Sequence, residues 1–505
     1  MARTKPTRRT RVHAARVRGA LARIPAPLAL LLACGALLAI GWDLSLPAFQ
    51  GPDEPAHFGY VQHLAETGTA PNAATGESPN STEVHDALLW LNLQPLTGNL
   101  SAKPAWSTAD LKLWRQAVAA EPKGSRANGS GANAIAKNPP LYYALMAIPY
   151  RVFVWLPLLK RIFILRLFNA LCYLATIALM WLIAGEIFGP VRWKQTLAAG
   201  VVALEPQLAY MSAVINADNL LIALTTAFML AAIRLVRHGP SMRRVLTAAV
   251  LCAAAFLTHG RGLVTVPVFA VGLCVAWIVH RPGRRESLQR ASAALGTLVF
   301  AALAYLTFGR SPGGGGAYGG QVSGLNSTSS FNIRQFLSSI YQFYFPKLSS
   351  LQPRLGPEYG YRQVFIDTFY GTFGSLEVVF RARLYDTLQV FSALGLVGLY
   401  TACVVRFRRL LRDWPLVLLM LTLLITQLAF LHYVSYQALL SNKGADPLIV
   451  GRYLLPMISL FGLAIAFTVG SLPRRLGQPL AAVILSAGIL LSLAGIGITA
   501  ARFYA

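Results

Sequence analysis

Apolar runs of about twenty residues alternate with short arginine-rich links along most of the chain, the pattern of a polytopic membrane protein. The runs predict spans near 28–48, 167–187, 196–215, 218–236, 244–258, 262–279, 291–308, 387–405, 414–434, 452–472 and 480–500, about eleven in all. Two long polar segments interrupt them, 49–162 and 309–386. The second carries a glycine run, Gly313–Gly316, and an aromatic stretch at Tyr341–Phe345. The expected organisation is a basic tail over 1–27, a membrane module over 28–308 that includes the first polar segment, the second segment over 309–386, and C-terminal helices over 387–505.

The apolar stretch 140–158 decides the orientation of everything after it. The links Arg192–Lys194, Arg237–Arg244, Arg281–Arg290, Arg406–Arg412 and Arg474–Arg475 fall on one side of an eleven-span chain, together with the basic N-terminus. That is the cytoplasmic side by the positive-inside rule. Counting 140–158 as a span would move every one of these links to the other side. The stretch is therefore read as re-entrant or interfacial, and Pro139, Pro140 and Pro149 suit an irregular path. Lys160, Arg161 and Arg166 then fall outside, against the rule. An anionic ligand such as a lipid phosphate would explain them, and ordinary headgroup contact would do so as well.

Composition sharpens this picture. The chain has 505 residues, 55% of them hydrophobic and 13% charged; a soluble domain carries about 25% charge. The net charge of +26 would suit a nucleic-acid binder. Here, however, the arginines cluster beside apolar runs, so nucleic acid is not an expected partner. Cys34, Cys172, Cys252, Cys274 and Cys403 all lie in apolar runs, with neither disulfide nor metal spacing.

Four polar clusters from distant parts of the chain meet the outer boundary in this topology. They are Pro52-Asp53-Glu54-Pro55-Ala56-His57, Asn216-Ala217-Asp218-Asn219, His259-Gly260-Arg261 and Gly451-Arg452-Tyr453. Their convergence predicts one site. Asp53 and Glu54 precede a proline suited to a helix start, where carboxylates act as a general base, a metal ligand or a helix cap. Asp218 is an ionisable residue at membrane depth, a functional candidate or an N-cap. His259 and Arg261 share one short turn, and a guanidinium fits phosphate oxygens in a bidentate way. Arg452 is either a ligand for an anion or a snorkelling interfacial side chain. No nucleotide-binding loop appears in a believable context, so a substrate already activated in the membrane is expected.

These residues resemble the GT-C glycosyltransferases, multi-span enzymes that use polyprenyl-phosphate sugars. With Asn138-Pro139-Pro140-Leu141-Tyr142-Tyr143, Pro206 and Gly451-Arg452-Tyr453-Leu454-Leu455-Pro456, the chain resembles more closely the bacterial membrane family called domain of unknown function 2142. The resemblance implies an all-α GT-C-like fold whose two long extracytoplasmic segments carry short helices. It implies a multi-pass protein of the bacterial plasma membrane that moves a sugar from a polyprenyl-phosphate donor to a cell-envelope glycan, lipid or protein, with inversion. Asp53 and Glu54 would be catalytic, Asp53 as general base. His57, Asp218, His259, Arg261, Arg452, Tyr453, Lys160, Arg161 and Arg166 would bind substrate. A divalent metal, Mg or Mn, at Asp53, Asp218 and His259 is an open alternative. The competing reading is a transporter or flippase of an anionic lipid-linked glycan, which calls for internal repeats and mid-membrane charges.

Overall fold

The computed structural model describes residues 24–505 apart from 72–77, 106, 122, 132–133, 309–330, 353, 357–359 and 442–448. Residues 1–23 of the basic tail, and residues 309–330 of the second polar segment with the Gly313–Gly316 run, lie outside the described residues. The described chain is mostly helical, and nine helical segments in it, two of them (Gly260–His280 and Gly451–Ser471) begun by a 3-10 turn, are long and apolar enough to cross a membrane.

The first, α1 (Ala26–Ser45), leads into a cap of four short helices: α2 (Glu54–Thr67), α3 (Thr82–Trp90), α4 (Thr108–Ala120) and α5 (Leu141–Val152). At about 1.5 Å per residue, α5 is about 18 Å long, too short to cross a bilayer core of about 30 Å. The stretch 140–158 is thus a short helix lying against α2 and α6 (Leu158–Phe188). α6 is 31 residues long and starts nine residues earlier than the sequence pattern predicts. Lys160, Arg161 and Arg166 therefore belong to its first turns rather than to a loop.

The predicted span at 196–215 is broken into α7 (Arg192–Ala203) and α8 (Pro206–Met211). Pro206 supplies no backbone N–H, and the Glu205 carboxylate accepts the N–H groups of Gln207 (3.2 Å) and Leu208 (2.5 Å), so a new helix starts there. α9 (Asp218–His238), α10 (Met242–Thr258), α11 (Thr265–His280) and α12 (Arg284–Phe308) follow. After the second segment, with its short helix α13 (Ile333–Tyr344), come α14 (Ala382–Val405), α15 (Phe407–Arg412), α16 (Trp414–Ser441), α17 (Ile458–Ser471) and α18 (Arg474–Tyr504). α17 is entered through a 3-10 turn at Gly451–Met457, where Pro456 interrupts regular helix.

α6, α7 and α9 form the centre of the bundle. α6 packs against α1, α7 and α9, and α9 also packs against α10 and α11. Small residues permit close approach where lipid gives no hydrophobic drive. The outer helices expose apolar side chains such as Phe391, Leu396 and Tyr400 of α14, as lipid-facing surfaces do.

The second polar segment is pinned to the bundle by a two-stranded hairpin, Thr372–Phe373 against Val378–Val379. Phe373 lies 4.6 Å from Trp42 of α1 and 5.3 Å from Tyr210 of α8, centre to centre. At the chain's end, Arg502 donates to the carbonyls of Leu96, Asn99 and Ala102 and pairs with Glu377 at 3.2 Å. One arginine thus ties both polar segments to the last helix.

Candidate active site

The four polar clusters converge at one end of the bundle, and the two carboxylates of the first cluster are separated there. Asp53 has φ +58°, in the left-handed region that Asp tolerates better than most residues. Its side chain makes no cap bond to α2. It instead receives Arg452 Nη2 at 2.9 Å, and it remains 51% exposed. Glu54 is wholly buried. It accepts Arg166 Nε at 2.8 Å, Arg166 Nη2 at 2.6 Å and the Ile215 N–H at 3.0 Å. Arg166 also binds Asp43 and the carbonyls of Leu46 and Pro47.

This geometry corrects two sequence expectations. Glu54 is enclosed by its partners and has no open face for a catalytic role. Arg166 has its donors engaged inside the protein and does not face a ligand. Arg161 requires the same correction. It is buried against Glu83 and donates to Tyr150 and to the Leu156 carbonyl, fastening α6 to the cap. Lys160 is exposed on the surface of α6, apart from this cluster. Arg161 and Arg166 are met by acidic partners within the chain, as a buried guanidinium is tolerated only when paired.

The remaining residues surround Asp53. Asp218, 2% exposed, is ion-paired with Arg261, and its N–H donates to Asn216 Oδ1 at 2.9 Å. Asn216 also donates to the Pro52 carbonyl, joining the head of α9 to the Asp53 turn. His259 accepts the Arg261 N–H at Nδ1, 3.1 Å away. The guanidinium carbons of Arg261 and Arg452 lie 4.2 and 5.3 Å from the centre of the Tyr453 ring. Arg261 Nη1 and both Nε and Nη1 of Arg452 are buried with no partner among the described residues. Such donors are costly to bury unless something accepts from them. Gly451 is required beneath them, because a Cβ there would collide with the backbone of Val364 and Phe369.

His57 lies behind this face, 3% exposed. Its Nδ1 is 2.9 Å from the Tyr143 hydroxyl, which also receives Asn138 Nδ2 at 3.1 Å. A hydroxyl that accepts the amide proton and gives its own to Nδ1 leaves the imidazole proton on Nε2. Burial pushes His57 down to about 4, against the opposing charges of Asp53 and Asp218. Burial and then the Arg261 charge push His259 down to about 3. Both imidazoles are neutral at pH 7.

The family described as predicted membrane protein (DUF2142) matches residues 36–461, a range that contains every residue of this cluster. The chain belongs to that family. No curated protein matches it significantly. Among solved structures, the DUF2142 chain is similar to ArnT from Cupriavidus metallidurans in its apo state (TM-score 0.47, 14% identity, 94% of this chain and 76% of that one). The same enzyme bound to undecaprenyl phosphate gives a TM-score of 0.44 at 16% identity over 94% and 71%. The oligosaccharyltransferase of Archaeoglobus fulgidus gives 0.45 at 13% identity over 94% and 56%; this chain spans just over half its length.

The metal expectation meets no ready donor set among the described residues. Among the described residues, no three His, Cys, Asp or Glu side chains come together as a metal site. Asp218 faces Arg261, Asp53 faces Arg452, and His259 turns Nδ1 to the backbone N–H of Arg261. Tyr143 and Asn138 join the site although the sequence reading assigned them no role; the signal was their Asn-Pro-Pro-Leu-Tyr-Tyr motif. Asp43 was also missed. A carboxylate inside an apolar run needs a cation, and Arg166 supplies it.

Proposed function

We propose that this chain transfers a sugar from a polyprenyl-phosphate donor to a cell-envelope glycan, lipid or protein, on the extracytoplasmic face of the bacterial plasma membrane. The observation that carries this reading is the pair Arg261 and Arg452, which share one tyrosine ring and hold three buried, unpartnered N–H nitrogens beside a half-exposed carboxylate. The donor phosphate accepts from those nitrogens. As the anomeric carbon–oxygen bond breaks, the electron pair goes to the phosphate, and the two fixed cations stabilise the growing charge. Asp53 takes the proton of the acceptor hydroxyl, whose oxygen bonds the anomeric carbon from the opposite side. Attack from that side gives inversion.

Asp53 suits the base role by elimination. Asp43, Glu54 and Asp218 are buried at 6%, 0% and 2% exposure and face arginines, whereas Asp53 is open to an acceptor. Donor phosphate competes with Asp53 for Arg452, so donor binding frees the base. His57, with its proton on Nε2, serves as a neutral hydrogen-bond donor towards the substrate.

The test uses protein in lipid nanodiscs with radiolabelled polyprenyl-phosphate sugars and a membrane-glycan extract, comparing wild type with Asp53→Asn, with and without chelator. Transfer lost in the variant supports the reading. Donor binding or lipid movement without transfer for any sugar overturns it in favour of a transporter.

A further inference from the structure

The other end of the bundle carries a second convergence. A cavity of about 90 Å³ is lined by Phe188, Lys194, Arg406, Arg409, Phe467, Gly470 and Ser471, with no acidic side chain among them. Its walls come from four places in the chain: the end of α6, the first turn of α7, the α14–α15 junction and the end of α17. The Asp53 cluster sits at the opposite ends of α6 and α17. From Arg166, which holds the Asp53 turn through Glu54, to Phe188 at the cavity is 22 residues, about 33 Å along α6 at about 1.5 Å per residue.

This cluster differs from the scattered arginines of the other links. Lys194 Nζ donates to the Gly470 carbonyl at 2.8 Å and lies 5.8 and 5.5 Å from the centres of the Phe188 and Trp193 rings. Arg406 Nη2 donates to the Ser471 carbonyl at 3.3 Å. Two cations are thus held by backbone at the end of α17, and Arg409 completes the set. Burial and then the charges of Arg409 and Arg406 lower the Lys194 pKa. Like charges are pressed together here. Asp413 stands 3.7 Å from Arg409 and 3.8 Å from Arg412 and offsets one of these charges, so the cluster keeps a net positive charge.

We propose that Lys194, Arg406 and Arg409 form a binding site for the phosphate headgroup of an anionic membrane lipid, in the leaflet opposite the Asp53 cluster. The surroundings favour a lipid over a free anion. Phe407, Leu411, Trp414 and Leu472 are 58%, 55%, 42% and 40% exposed around the cluster, an apolar surface for acyl chains beside the cavity. A basic pocket between helix ends at a bilayer surface suits such headgroups.

The test is native mass spectrometry of the full-length protein in mild detergent. It is titrated with phosphatidylglycerol or cardiolipin, with phosphatidylcholine as the zwitterionic control and inorganic phosphate as competitor. Arg409→Gln is the first variant, because it leaves the Lys194–Gly470 and Arg406–Ser471 bonds intact. Arg406→Gln is the second. Each is expected to weaken retention of the anionic lipids about fivefold, the equivalent of about 1 kcal/mol. Phosphatidylcholine should be retained weakly, and inorganic phosphate should fail to displace the lipid. Equal retention by wild type and both variants overturns the site. Retention of phosphatidylcholine as strong as that of the anionic lipids also overturns it. Complete displacement by inorganic phosphate at matched concentration overturns the lipid assignment.

Discussion

Arg166 grips Glu54 through two hydrogen bonds of 2.8 and 2.6 Å, and this pair holds the first cluster in shape. Glu54 opens α2 and also accepts the Ile215 N–H, so the Asp53 turn, α6 and the approach to α9 are fixed at one carboxylate. Arg166→Ala leaves two buried carboxylates without their cation. The expected loss is about 3–5 kcal/mol of stability, seen as a lower melting temperature and poor yield from membranes. Asp53→Asn, at a half-exposed position, is expected to keep the wild-type melting temperature. Equal destabilisation by both changes would remove the division of labour between these neighbours.

Arg261 and Arg452 differ in what else they hold. Arg261 neutralises the buried Asp218, whereas Arg452 pairs with the half-exposed Asp53. Arg452→Lys keeps a charge and loses the planar fork. It is expected to reduce kcat/KM for the donor by about 10²-fold, equivalent to about 2.7 kcal/mol, with little change in melting temperature. Arg261→Lys should lose both activity and stability. Kinetic assays paired with thermal unfolding distinguish the two patterns.

Proton uptake by His57 and His259 opposes folding at acid pH. Both are held well below the ordinary value of about 6.5, at about 4 and about 3. Between about pH 6.5 and 4 the unfolded chain binds protons that the native chain does not, so stability falls as pH falls through that window. His57→Gln should flatten part of this dependence. Melting temperatures from pH 4.5 to 8 check it, and a slope unchanged in the variant would contradict the neutral, buried His57.

Tyr143→Phe removes one oxygen and leaves the ring, which stacks on Tyr60 at 3.7 Å. His57 Nδ1 and Asn138 Nδ2 then lose their shared partner, with an expected cost of about 1–3 kcal/mol. Activity should fall as His57 loses its fixed tautomer. Unchanged turnover and melting temperature would show that the hydroxyl contributes nothing.

Arg502→Ala is expected to release the loop around Leu96–Ala102 and the hairpin near Glu377 from α18. Limited proteolysis should then cut near residues 96–105 faster than in wild type, while the membrane helices stay intact. Unaltered cleavage would assign the tie to other contacts.

The membrane class, most of the helices and the convergence of four polar clusters were determined by the sequence alone. Bilayer thickness sets an apolar run of about twenty residues, which is local and countable. The short α5 was legible through its prolines, Pro140 before it and Pro149 within it. What only the tertiary structure decided is which charge faces which. Asp53 and Glu54 are adjacent in sequence, yet one is open and the other enclosed, because the turn at Asp53 sends their side chains to different partners. Arg166 lies 112 residues from Glu54, and Arg452 lies 399 from Asp53. No local pattern encodes those pairings. They follow from the rule that a buried charge must meet its opposite, and only the packing of α1, α2, α6 and the Gly451 turn shows which opposite is within reach.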